Sequence, residues 1–316
     1  MAPPNAGRGA WVGFGAQSAF ATADTRTVFA RLISADLTRV QNDDLSSVLH
    51  HGDAADVRHN FQVSEVVEGS IVFRMRYDGV GLLLRAALGA VTDAGTGSPY
   101  THTATMDTSL ELLSVEVYRG TAAVSELFDS CKVRRIVITQ SAQSECTVEL
   151  DIIGRTGAAR GAASTPTFTD HEVVRHNNTF ALSWGGAVSG VKDWTLTLDN
   201  GLAEVRELGS LFTQEMVIGS GRIATLDLGL HYRSDTGYNV HQALTEQDGT
   251  LTITGGTSPN AIAFLLRNAK MITHNGGPIS DFGVVTEAVT LRGHADGTDP
   301  SLQITVTNAT ASGIAN

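Results

Sequence analysis

Cysteine is nearly missing from this chain of 316 residues, with only Cys131 and Cys146 present. A disulfide framework is therefore excluded as the source of its stability. If residues 132 to 153 form a hairpin turning near Ser141 to Ser144, Cys146 faces about Ile138 while Cys131 lies near Ile153, and the two do not meet. Positive charge is also scarce: 22 Lys and Arg stand against 33 Asp and Glu, a net charge of −11. A tight phosphate binder needs the opposite balance. No window approaches a membrane span. The opening Met1-Ala-Pro-Pro-Asn-Ala-Gly-Arg-Gly-Ala lacks the apolar stretch of a secretory signal, so the expectation is a cytoplasmic origin and no membrane partner. Aromatic residues make up 6%, which leaves little for a sugar-stacking platform.

Catalytic and metal signatures are missing as well. No His-Glu-x-x-His, Cys-x-x-Cys or Gly-x-x-x-x-Gly-Lys-Ser/Thr occurs, and Gly13-Phe-Gly15 has no strand-to-helix context for a phosphate. Nor is there a Gly-x-Ser-x-Gly elbow to present a nucleophile. Asp43-Asp44 and Asp296-Gly-Thr-Asp299 lack the alternating ligands of a calcium loop and read as turns. The densest polar cluster is His50-His51-Gly-Asp53-Ala-Ala-Asp56-Val-Arg58-His59. Its imidazoles and carboxylates suit a surface facing solvent or another subunit better than a divalent ion. Glu149 and Asp151, two apart on an expected strand, share a solvated face. Asn177-Asn178-Thr179 is a formal glycosylation sequon with no secretory signal to give it meaning. The expectation is a non-enzyme with no cofactor and no metal.

What is present is β structure, and it is present twice. With 42% hydrophobic and 17% charged residues, the composition favours a folded, β-rich protein. Ile71, Phe73, Met75 and Tyr77 alternate with Val72, Arg74 and Arg76, the period of a half-buried strand. Val80 to Leu88 then suits a short helix ended by Gly89. The same order recurs in Ala224 to Tyr232 followed by Tyr238 to Leu244. Upstream strands at Leu32 to Val40 and Asp193 to Asp199 match in turn, and the hairpin of Lys132 to Thr139 with Cys146 to Gly154 is expected to recur as Thr286 to Gly293 with Ser301 to Thr307. The offset is roughly 155 residues. The fold class expected is mainly β, with two tandem β-sandwich or β-barrel domains, each with one short flanking helix.

Five segments follow from this reading. Residues 1–25 form an N-terminal arm in which Trp11, Phe14 and Phe20 contact a neighbour, and 26–155 form the first domain. A small, flexible linker occupies 156–166, within the Gly- and Ala-rich stretch Arg155 to Pro166. The second domain spans 167–307 and a tail 308–316. Within the first domain, Gln41 to Asn60 reads as a long polar loop carrying Asn42, Asp43, Asp44 and the histidine cluster. Residues 92 to 109 read as a Gly/Thr/Ser-rich loop.

Tyr118-Arg-Gly120, Phe128-Asp-Ser-Cys131-Lys-Val-Arg-Arg-Ile-Val-Ile138 and Cys146-Thr-Val-Glu-Leu-Asp-Ile-Ile-Gly154 resemble the closing strands of the tail tube proteins of long-tailed bacteriophages. Val66-Val-Glu-Gly-Ser-Ile-Val72 with the helix ending Leu88-Gly89, and Trp11-Val-Gly-Phe-Gly with Phe20-Ala-Thr22, are similar to earlier parts of the same family. That resemblance implies a virion structural protein, assembled in the host cytoplasm, whose rings stack into a conduit for genome ejection. Family members commonly have one domain and hexameric rings, so a doubled chain implies trimers with pseudo-sixfold symmetry. The implied partners are further copies of the chain, a tape-measure protein and tail terminator or tip proteins, with DNA passing through the lumen unbound. On this reading Asn42, Asp43, Asp44, His50, His51, Asp53, Asp56, Arg58 and His59 form an inter-ring contact loop. Glu149, Asp151, Asp199 and Asp227 are candidates for lining the lumen. A receptor- or carbohydrate-binding β-sandwich of the tail tip is the alternative, and a β-rich hydrolase is disfavoured.

Overall fold

A computed structural model describes residues 9–44, 61–120, 124–157, 161–168, 172–233, 236–276, 284–297 and 299–311. The chain opens with β1 (Trp11–Gln17), β2 (Val28–Ala35), β3 (Thr38–Asp44) and β4 (Phe61–Arg74), followed by α1 (Gly81–Leu88). Next come β5 (Gly89–Ala94), β6 (Tyr100–Met106), β7 (Leu112–Tyr118), β8 (Val124–Ser141) and β9 (Thr147–Gly154). Short β10 (Thr156–Gly157) and β11 (Gly161–Ala162) precede β12 (Thr179–Trp184), β13 (Ala187–Val188) and β14 (Val191–Asp199). The hairpin of β15 (Leu202–Val205) and β16 (Glu215–Ile218) leads to β17 (Ile223–His231) and α2 (Thr236–Ala243). Last are β18 (Glu246–Thr254), β19 (Ala261–Gly276), β20 (Thr286–Arg292) and β21 (Leu302–Asn308). The protein is mainly β, as its alternation requires.

One antiparallel run organises the molecule: β4, β9, β8, β14, β17, β20 and the second half of β19 lie side by side, with β2 and β3 sharing the far edge of β4. Strict alternation sends Ile71, Leu150, Ile136, Leu198, Leu226 and Leu291 to the same side, where all are buried. Each such side chain contributes about 1.5–3 kcal/mol by leaving water. A second layer of β5, β6, β21, the first half of β19, β18 and β12 closes the sandwich over them. Two long strands pass between layers. β8 pairs with β7 before it pairs with β9, and β19 pairs with β21 before it pairs with β20. Their bends fall at Ser130 and Asn268, both with positive φ.

The helix expected at Val80 to Leu88 is apolar nearly all round, the mark of a buried segment. Seven of its eight residues are buried, and the exception, Arg85, reaches Glu111 at 2.7 Å. Gly89, at φ 115°, ends it.

Irregularities recur along the run. β2 skips a residue between Leu32 and Ser34 opposite Phe73 and Val72, and β14 skips one between Val191 and Asp193 opposite Leu230 and Gly229. β8 skips one between Val133 and Arg135 opposite Ile152 and Asp151, and β19 skips one between Met271 and Thr273 opposite Leu291 and Thr290. Such bulges fix register and twist, so their placement is informative.

Several expectations change. β20 and β21 do not form a hairpin: β20 lies between β17 and β19, and β21 between β19 and β6. The partner that matches β8 in pairing and bulge is β19, and β20 matches β9. Residues 92 to 109 are not a loop but hold the end of β5 and all of β6, closed inward by buried His102 and Ala104. The described parts of the Arg155 to Pro166 stretch, residues 155–157 and 161–166, are held as well. There β10 and β11 add to β8, and Ser164 bonds Glu116. Cys131 and Cys146 are both free and buried, and burial pushes both thiols well above their ordinary range.

Candidate functional site

The side of the run opposite the core is a mostly polar surface, interrupted by Val72, Val137 and Ile223. Register carries one row across it from Ser70 through Asp151, Arg135 and Asp199 to Ile223. A second runs from Val72 through Glu149, Val137, Thr197 and Thr225 to Arg292. A third runs from Arg74 through Thr147, Thr139, Thr195, Asp227 and Thr290 to Thr273. All four acids read from the sequence, Glu149, Asp151, Asp199 and Asp227, stand on this one face. Threonine dominates it because a β-branched hydroxyl suits a strand and still hydrates.

Its charge is mixed and partly fixed. Asp151 accepts from Arg134 at 3.1 Å and lies 3.8 Å from Arg135. Asp227 accepts from the Thr290 hydroxyl at 2.5 Å, and Asp199 accepts from Gly201 N–H at 2.8 Å. Acids and bases are interspersed on this face, and among the described residues no continuous track of Lys and Arg offers a phosphate backbone a path.

One end of the face is covered. The β15–β16 hairpin folds onto Val66 and Ile153 through Met216 and Leu202, with Phe20 and Val40 alongside. Lys132 Nζ donates to Met216 O at 2.7 Å. Beyond the hairpin strands, Leu208 stands fully exposed and Leu211 partly so.

Among the bonds that tie the N-terminal and C-terminal halves of the chain, two joints stand beside this face. In one, β8 pairs with β14 from Arg135↔Asp199 to Ser141↔Asp193. In the other, Asn200 and Arg222 reach the C-terminal end of α1. Asn200 Nδ2 donates to Ala87 O and Val133 O at 2.9 and 2.8 Å, and Arg222 donates to Ala87 O, Leu88 O and Asp107 O at 3.0, 3.1 and 2.7 Å. Helix carbonyls left without intrahelical partners attract such donors. Burial lowers the Arg222 pKa to about 10, with the nearby Asp107 carboxylate opposing the shift.

The expected arm residues are used inside the chain's own fold. Trp11 and Phe14 are buried in β1, which pairs with β2 and β7, and Trp11 stacks on Tyr118 at 5.3 Å. Phe20 is half-buried against the hairpin cluster and under Arg155. Asn42, Asp43 and Asp44 belong to β3, opposite Ser64, Gln62 and Phe61, rather than to a loop. His50, His51, Asp53, Asp56, Arg58 and His59 lie outside the described residues.

Sequence reasoning overlooked Glu116, Asn200 and Arg222. Glu116 is 1% exposed and accepts from Arg26 Nε, Ser125 Oγ and Ser164 Oγ, each at 2.6 Å, and from Ser164 N–H at 2.8 Å. A lone acid inside the apolar run Leu112–Tyr118 was its only signal. Among the described residues no three His, Cys, Asp or Glu side chains gather as a metal set. All three tryptophans are committed to the sandwich: Trp11 and Trp194 are buried, and half-buried Trp184 donates to Ala269 O at 3.0 Å.

No curated protein matches the chain. A family model described as phage tail tube protein matches residues 7–312, almost its whole length. The chain therefore belongs to the phage tail tube protein family, a structural family of the virion tail.

Proposed function

We propose that this protein is a doubled tube subunit, three copies of which close a ring that stacks into the conduit for genome ejection. One observation carries the proposal. The run of strands is buried on one face, polar on the other, and made of two quartets whose bulges fall at matching places. The first quartet is β2/β3, β4, β9 and β8, and the second is β14, β17, β20 and β19. A repeated quartet supports two tube domains in one polypeptide and hence pseudo-sixfold symmetry from three copies.

In this reading the Thr-rich face with Glu149, Asp151, Asp199 and Asp227 lines the lumen. Hydroxyls and locally paired charges give DNA no strong purchase, so the genome slides past. Stacking between rings falls to the region of residues 42–59 and, at the matching place in the second half, to the loop between β15 and β16. The tape-measure protein fills the lumen before DNA does, terminator and tip proteins close the ends, and assembly takes place in the host cytoplasm.

Negative-stain electron microscopy with native mass measurement tests the proposal. Rings or tubes built from trimers are expected. A protein that stays monomeric at every concentration and salt condition, alone or with tail-tip nuclei, overturns it.

A further inference from the structure

The internal joint between β8 and β14 contains the plan of a second joint. β8 ends the first quartet and β14 begins the next, and their pairing aligns Leu196↔Ile138, Thr197↔Val137, Leu198↔Ile136 and Asp199↔Arg135. The same two edges exist once more on the chain without a partner strand, although at the start of β3 the fully buried Leu37 has its carbonyl bonded by Arg119 Nη2 at 3.1 Å. Among the described residues no strand pairs with the outer edge of β3, and β19 beyond Lys270 pairs with β20 alone. Matching bulges fix the equivalences. Val191/Asp193 corresponds to Leu32/Ser34, which places Thr197 with Thr38, and Val133/Arg135 corresponds to Met271/Thr273, which places Val137 with Asn275.

We infer that β19 of one copy adds antiparallel to β3 of the next in one register: Asn275 opposite Thr38, His274 opposite Arg39 and Thr273 opposite Val40. The occupant of each open edge is therefore a second copy of this chain. This inference rests on the ring reading above and adds to it the strand edges and the residue pairs.

Backbone direction agrees with the register. Asp36 N–H donates to Ser70 O at 3.0 Å, within the β4 pairing. By antiparallel alternation Arg39 and Gln41 turn their backbone groups outward, as does Leu37, whose carbonyl is met by Arg119 instead. The template behaves alike: Asn200, the equivalent of Gln41, donates its N–H to Arg134 O at 2.9 Å across the internal joint. Gln41 N–H is thereby aimed at Ile272 O of the next copy.

The two joints differ in chemistry as a permanent and an assembled contact should. The internal one is aliphatic on its core side, with Ile136, Ile138, Leu196 and Leu198 all buried. At the open edges the equivalents of Ile136 and Leu198 are His274 and Arg39. Each is already paired within its own copy, His274 with Glu287 at 3.0 Å and Arg39 with Glu65 at 2.6 Å. Polar and charged residues on an edge strand suppress indiscriminate pairing while leaving a matched edge able to add.

Cysteine cross-linking of the full chain tests the register. Thr38 and Asn275 are both exposed, so T38C/N275C is expected to fold, and their native equivalents Thr197 and Val137 face each other across the internal joint. Oxidation of assembled T38C/N275C should convert the monomer band into covalent multimers. A control shifted by two residues, T38C/T273C, should leave it monomeric. If rings are seen by microscopy and only the shifted pair links, the register is wrong while the ring reading stands. If rings are seen and neither pair links, the joint is made elsewhere and the inference fails alone. If T38C/N275C links copies into open chains that never close, the joint holds and the ring reading fails.

Discussion

Arg222 Nε donates to Asn200 Oδ1 at 2.8 Å, and the pair reaches from the second half of the chain to the last carbonyls of α1 in the first. A helix that lacks a side-chain cap at its start is thus finished by residues more than a hundred positions away. Because Arg222 stays protonated up to about pH 10, the cap is charged under all ordinary conditions.

Arg222→Met should remove that charge and leave Ala87, Leu88 and Asp107 carbonyls short of donors. Hydrogen bonds to a charged partner are worth about 1.5–3 kcal/mol each, part of which water can replace here. We expect a loss of about 2–3 kcal/mol in denaturant unfolding. Arg222→Lys should recover less than half of it, since one ammonium cannot span three carbonyls as the guanidinium fork does. Full recovery by lysine would show that charge alone, and not the fork, caps α1.

Glu116 gives stability a pH dependence of known sign. Burial raises its pKa, but hydrogen bonds from Ser125 and Ser164 and the Arg26 guanidinium more than offset that, and the net shift is downward. A carboxyl whose folded pKa lies below its unfolded one stabilises above the unfolded value, and that contribution is lost as pH falls through the folded one. Glu116→Gln should therefore cost about 3 kcal/mol at pH 7, the range for breaking a buried pair. At strongly acid pH the two proteins should converge. Parallel stability curves for the two from pH 7 to pH 2 would count against this role.

Gly69 sits at φ 149° where β4 passes the crossing of β2 into β3, and a Cβ there would lie 2.6 Å from Leu37 Cα and 2.8 Å from Asp36 O. Both obstacles are backbone, so no side chain can swing aside. Gly69→Ala should cost about 2–4 kcal/mol from strain and displacement together. Thermal unfolding would measure it. The loss should be larger than for Gly97→Ala, where nothing lies within 4 Å and φ is ordinary.

What could be read from the sequence follows from what alternation encodes. Ile71, Phe73, Met75 and Tyr77 announced β4, and the apolar octet after Val80 announced α1, because burial on one side or on all sides leaves a local period. The same logic put Glu149 and Asp151 on one face. Pairing is not local, however, and a strand's period does not say which strand lies beside it. Hence β20 and β21 were expected to pair with each other, although they lie end to end along one edge of β19, β21 beside its first half and β20 beside its second. β1 was misread for another reason. Gly13 and Gly15 look like loop residues, yet a Cβ on Gly15 would meet Thr25 O at 2.2 Å. They are small because chains pass close by, not because the segment is mobile. Thr-rich β6 likewise looked like loop, and its buried His102, held by Asp93 at 2.7 Å and Asn308 at 3.1 Å, gave no apolar signal.

Reversing charge on the polar face should change how tubes treat DNA without changing the fold. Asp199 and Asp227 are exposed at the centre of the face, so D199K/D227K should unfold within about 0.5 kcal/mol of the parent apart from the lost Gly201 and Thr290 contacts. If that face lines the lumen, tubes carrying the reversal should retain DNA fragments that parent tubes release. Retention should weaken with salt, with a log–log slope steeper by roughly one for each phosphate engaged. Asp296→Lys, on an exposed turn between β20 and β21 outside the strand rows of the face, supplies the control for added charge. Equal retention by the control and the double reversal would place Asp199 and Asp227 outside the lumen, because a wall residue acts on confined DNA from several subunits at once and an exterior one does not.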